Sequence, residues 1–117
     1  MNALLIIDMQ NDFTIGGSLE VKDAEQVVPV IYRLMDKLDL VLTSKDWHSS
    51  QTVHFEKWPP HWIAESWGAE FHPDLESDHI DLIFYKDTGN KDDGYSAFEA
   101  TNIKNKERVN GLFSNNI

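Results

Sequence analysis

The run Ala3-Leu4-Leu5-Ile6-Ile7-Asp8 decides how this chain is read. Five apolar residues follow one another without a polar break. A half-wet strand alternates apolar and polar positions, so an unbroken run suggests a strand covered on both faces, as in a parallel sheet. Asp8 ends the run. A carboxylate therefore stands at the C-terminal end of the strand, where open α/β sheets place their sites.

Working outward, a loop with Gly16-Gly17 leads into a helical pattern. Ala24, Val27, Val28, Ile31, Leu34, Met35 and Leu38 fall on one face at helical spacing. Asp23 is a candidate cap, with Gln26 three residues on. Pro29 opposes a start that early, because an interior proline costs about 3 kcal/mol, and is better placed in the first turn. Leu40-Val41-Leu42-Thr43 reads as a second buried strand ending near Asp46. Strand, helix and strand in this order form a βαβ unit, expected to be parallel and right-handed. Residues 47–79 are rich in Trp and His with little periodicity, and a loop that long is usually functional. Ile80–Tyr85 is a third strand candidate ending at Lys86, and residues 99–113 form a weak helix candidate.

The 117 residues hold no cysteine, and 10 Lys+Arg stand against 20 Asp+Glu, for a net charge of -10. Without thiols there is no disulfide framework, no Cys-ligated metal and no cysteine nucleophile among these residues. The acidic balance opposes nucleic acid or an anionic membrane as partner. The Ala3–Ile7 run is too short for a signal peptide or a membrane span, so a cytoplasmic location is expected. One domain of α/β class is expected, a three-layer sandwich around a parallel sheet.

All five histidines lie between residues 48 and 79. Asp46-Trp47-His48, His54 and His61 form the sharp cluster. Imidazole and carboxylate together suit a borderline divalent ion such as zinc, iron or manganese. The plainer alternative is a set of packed or surface histidines beside tryptophans. Asp8 and Lys86 form a second pair, each directly after an apolar strand. They would position and ionise a nucleophile, or else form a structural ion pair or two solvated strand ends. Phe13, Trp58 and Tyr95 are loop aromatics on which a flat ring could stack, though packing serves any one of them equally. Trp47, Trp62 and Trp67 read as packing. Pro59-Pro60 stiffens the chain before His61 and could open a short helix there.

The series Leu4-Leu5-Ile6-Ile7-Asp8-Met9-Gln10-Asn11-Asp12-Phe13, Gly16-Gly17-Ser18-Leu19, Thr43-Ser44-Lys45-Asp46-Trp47-His48, His54-Phe55, Trp58-Pro59-Pro60-His61, Gly68-Ala69-Glu70-Phe71-His72-Pro73, Tyr85-Lys86 and Gly94-Tyr95-Ser96-Ala97-Phe98-Glu99 runs in order along the chain. It resembles the N-terminal part of nicotinamidase/pyrazinamidase enzymes, within the isochorismatase-like cysteine hydrolases. The resemblance implies hydrolysis of nicotinamide to nicotinate and ammonia, in NAD salvage. It implies Asp8 as the general base toward a catalytic thiol and Lys86 as the charge-stabilising lysine. It implies Asp46, His48 and His61 as ligands of a divalent metal, zinc by preference, with His54 a further candidate. It implies Phe13, Leu19, Trp58 and Tyr95 around the pyridine ring.

One departure is large. The family's nucleophile is a cysteine in the second half of the domain, and none is present here. The expectation is therefore a chain that supplies the first three strands of six. Its first strand would be left with an open edge, and the chain would be unstable and inactive alone. A non-catalytic metal- or ligand-binding remnant, half of a split enzyme completed by a C-terminal chain, and a homo-oligomer remain open alternatives.

Overall fold

A computed structural model describes residues 2–75, 77–86 and 101–102. The three apolar runs form parallel strands: β1 at Ala3–Ile7, β2 at Leu40–Asp46 and β3 at Leu82–Lys86. Their order is β1-β2-β3, closed on the far side by β4 at Thr101–Asn102, which runs antiparallel to β3. β3 starts two residues later than the apolar run suggested. The side chain and the main chain of Asp81 instead bond Val41, tying the approach to β3 onto β2. Thr101–Asn102 fall inside the stretch read as a helix and pair as strand backbone; the rest of that stretch lies outside the described residues.

Helix α1 spans Val27–Met35. Pro29 sits in its first turn, where its missing N–H costs no helical bond. Asp23 does not cap it. Its backbone is left-handed, with φ 60°, and its side chain makes no capping bond; a 3-10 turn at Ala24–Gln26 intervenes. The buried stripe is Val28, Ile31 and Met35, narrower than the periodicity suggested, since Val27 and Leu34 are exposed. These three pack on Ile6, Val41 and Leu75 with Leu4 alongside. Each such buried side chain contributes roughly 1.5–3 kcal/mol.

Residues of opposite parity face the other way. Leu42 and Phe84 are fully buried there with Ala3, Leu5, Leu40 and Leu82 packed around them. Both sheet faces are thus apolar, which is why the runs read as continuous. Among the described residues, a helix covers only the α1 face. Coverage of β1 fades toward its end, where Ile7 is 58% exposed.

The parallel arrangement decides where function sits. It brings the C-terminal ends of β1, β2 and β3 to one side. The register pairs Ile7 with Ser44 and Asp46 with Lys86, so Asp8, Asp46 and Lys86 converge at one end of the sheet. The long segment after β2 folds over this end as three 3-10 turns joined by irregular chain. It is pinned by short bridges, His48 with Ile63 and Gln10 with Phe71.

Candidate active site

Lys86 ends β3 beside its register partner Asp46. Its Nζ lies 2.8 Å from Asp46 Oδ1 and 3.1 Å from Asp8 Oδ2. All three residues are buried. Burial by itself would lower the lysine pKa, but the charges of Asp46 and then Asp8, with their hydrogen bonds, outweigh it and hold the ammonium above its ordinary value. An ammonium favoured in its charged form between two carboxylates is a preorganised electrostatic centre.

Asp8 leaves β1 in the left-handed region, with φ 52°. That conformation is uncommon for a residue with a side chain. It is held there from several sides. The Asp8 N–H faces Ser44 O and Oγ, both at 3.3 Å, and Ser44 Oγ donates to Asp8 Oδ1 at 2.8 Å. The turn aims the carboxylate across the end of β2 toward Lys86.

These three groups line one cavity of about 310 Å³. Phe13, Leu19 and Trp58 contribute to its walls. Trp58 is half exposed, at the mouth. Tyr95 lies outside the described residues. The imidazoles of His48, His54 and His61 line the same cavity, with His48 centroids 4.9 Å from both others. The two remaining histidines lie elsewhere: His72 is near Asp74 and His79 is exposed.

No helix starts at Pro59-Pro60, because Trp62 is left-handed with φ 47°. His61 is held another way. Its Nδ1 is 2.5 Å from Pro59 O. A carbonyl only accepts, so Nδ1 carries the proton and Nε2 keeps its lone pair. Burial, the largest influence, also pushes the His61 pKa down despite the opposing Pro59 bond and Asp12 charge. A neutral imidazole with a fixed tautomer is the form that binds metal. The donor chemistry of His48, His54, His61 and Asp46 thus fits a borderline divalent ion. Among the described residues, no three such side chains are drawn together tightly enough to hold one.

Several residues that hold or line the cavity were not evident from sequence. Gln10 is fully buried. Its Nε2 donates to Asp46 O at 2.8 Å and Ala69 O at 2.7 Å, while its Oε1 accepts from Asp46 N–H at 2.9 Å. It clamps the main chain of Asp46 as a neighbouring strand would. Asp12 accepts from Trp62 N–H at 2.6 Å and Ser18 N–H at 3.1 Å, joining the loop after β1 to the segment after β2. Trp62 lines the cavity and packs edge-on to Phe13 at 4.2 Å. Of the other tryptophans read as packing, Trp47 meets Tyr85 edge-on, but Trp67 is exposed. The one available signal was the polar run Gln10-Asn11-Asp12 directly after a strand, which by itself looks like a solvated turn.

The isochorismatase-domain model matches residues 2–108. The chain belongs to the isochorismatase family. It is 36% identical over 122 residues to the nicotinamidase/pyrazinamidase of Mycobacterium tuberculosis, covering 96% of this chain and 64% of that protein. An Acinetobacter baumanii nicotinamidase/pyrazinamidase structure superposes with a TM-score of 0.79 at 34% identity, covering 84% of this chain and 57% of that one. The pyrazinamidase of Pyrococcus horikoshii, solved in complex with zinc, gives 0.72 at 33%, covering 83% and 57%. This isochorismatase-family chain thus spans rather more than half the length of the relatives it matches, and the α/β fold expected from its apolar runs is theirs.

Proposed function

We propose that this chain is the N-terminal part of a nicotinamidase, hydrolysing nicotinamide to nicotinate and ammonia. The observation that carries the reading is one cavity. Asp8 and Lys86, three imidazoles and the ring walls Phe13, Leu19 and Trp58 come from separate stretches of sequence and line it together. Relatives named nicotinamidase at 36% and 34% identity support the choice of substrate.

In this reading Asp8 takes the proton of a cysteine thiol. Lys86 keeps negative charge favourable around it. The thiolate adds to the amide carbonyl, ammonia leaves, and water opens the resulting thioester. The thiol must come from outside these 117 residues, which contain none. A C-terminal continuation or a second chain would supply it, along with oxyanion donors. Asp46, His48 and His61, with His54, would hold a divalent ion, zinc by the precedent of the Pyrococcus relative. When bound, it would offer a Lewis-acidic site for the ring nitrogen. Phe13 and Trp58 would hold the ring flat between them. The location proposed is cytoplasmic, with no nucleic-acid or membrane partner; among the described residues no helix is long and apolar enough to cross a membrane.

The absence of cysteine favours a second reading, a remnant that binds ligand and metal without catalysis. Ammonia release from nicotinamide separates the two. The chain alone is expected to give none. Mixed with a C-terminal segment bearing the missing thiol, it is expected to turn over. Failure of the mixture with retained nicotinamide and zinc binding by calorimetry favours the remnant. Turnover by the chain alone sinks the assignment of a thiol nucleophile.

A further inference from the structure

We propose that Trp62 contacts the bound ligand and donates its indole N–H to an acceptor on it. The inference rests on the reading of this cavity as a site for a ring amide. Trp62 follows His61 and would pass for packing in the sequence. Its surroundings differ from those of a packed tryptophan in three ways.

First, the backbone is held in a costly conformation. Trp62 is left-handed at φ 47°, a region that a bulky residue rarely occupies. Bonds on both sides fix it: its N–H donates to Asp12 Oδ2 at 2.6 Å, and its C=O accepts from His48 N–H at 2.8 Å. Second, the ring lines the cavity among the residues already assigned to the site. It stacks with His48 at a centroid distance of 6.0 Å, meets Phe13 edge-on, and lies 5.6 Å from Lys86 Nζ. Third, the side chain is only 5% exposed, yet among the described residues its Nε1 has no hydrogen-bond partner. A buried donor without a partner is unfavourable, and phenylalanine would fill the same wall without that cost. A ligand carrying an acceptor relieves it. The ring then selects flat ligands, and the N–H selects among them.

The test follows the indole signals of the ¹⁵N-labelled chain while nicotinamide or benzamide is added. Trp62→Phe identifies the Trp62 signal among the four tryptophans and measures its effect on affinity. The Trp62 indole is expected to shift most, and Trp62→Phe is expected to bind about fivefold more weakly, the scale of one lost hydrogen bond. If that variant does not fold, the wild-type signal, assigned through bonds, still decides. Saturable shifts elsewhere in the cavity with the Trp62 indole unmoved overturn the proposal, as does silence toward both amides. A Trp62 response to benzamide but not to nicotinamide supports it and removes nicotinamide as the substrate.

Discussion

Lys86 Nζ sits closer to Asp46, at 2.8 Å, than to Asp8, at 3.1 Å. The register of β2 against β3 causes this, since the two residues face each other across the ladder, whereas Asp8 reaches over from the turn after β1. One ammonium therefore compensates two buried carboxylates. Lys86→Met keeps an unbranched stem out to Cε and removes the ammonium. It is expected to destabilise the fold by about 3–5 kcal/mol, as removing one partner of a buried pair usually does. Urea unfolding measures it. A loss below about 1 kcal/mol would place the three groups among solvated ion pairs.

Gln10 governs the same aspartate through its main chain. Its amide satisfies the N–H and C=O of Asp46 and the C=O of Ala69. Gln10→Met preserves the volume and leaves these groups without partners, for an expected cost of about 2 kcal/mol or more. Gln10→Glu is expected to cost more at neutral pH, because it presents a carboxylate to two carbonyl oxygens. The Asp46 amide resonance should move in both variants. Equal stability of the two variants across pH would show that the amide orientation is wrong.

Three glycines separate two physical causes. Gly16 has φ 87° and open space around a would-be Cβ, so Gly16→Ala carries only a backbone penalty of about 1 kcal/mol. A Cβ on Gly68 would overlap the Asp12 carboxylate, and one on Gly17 would overlap the main chain of Asn11 and Asp12. Gly17→Ala and Gly68→Ala are therefore expected to be the more damaging, at about 1–3 kcal/mol. Gly68→Ala should also shift the Trp62 amide, through Asp12. A thermal-melt ranking with Gly16→Ala as the worst of the three would contradict this.

The sheet was legible because both of its faces are apolar. Leu4 and Ile6 face one cluster while Leu5 and Leu42 face the other, so the strands carry unbroken runs. Asp8 and Lys86 were legible for the same reason, as charges that stop such runs, and Asp46 through its place beside His48 just past a strand. The exposure of Ile7 was not, since a run of apolar letters does not reveal what covers its last residue. Asp23 looked like a cap by residue type, but capping needs extended backbone, and φ 60° is set by the turn before α1. Gln10, Asp12 and Trp62 act through contacts 36 to 59 positions away, and no local pattern carries such a pairing. Their roles emerge only when the segment after β2 is laid over the sheet.

The loop that carries Leu19 toward the cavity has its own tether, and that tether titrates. Ile15 N–H donates to Glu25 Oε1 at 2.6 Å, and Gly16 N–H donates to Glu20 Oε1 at 2.9 Å. The bond from Ile15, ahead of that from the Glu25 N–H, holds the Glu25 carboxyl below its usual 4.5 despite slight desolvation. A carboxylate favoured by folding binds its proton less readily in the folded chain than in the unfolded one. Its contribution is therefore complete above 4.5 and is lost as pH falls through the lowered folded value. The Ile15 amide resonance should titrate on acidification with a midpoint below 4.5. In Glu25→Gln that step should vanish, while neutral-pH stability changes little because the carboxyl is hardly desolvated. An Ile15 amide that titrates at or above 4.5 would mean that the tether is open in solution and that the loop is placed by Gly17 and the Leu19-to-Asp12 bond alone.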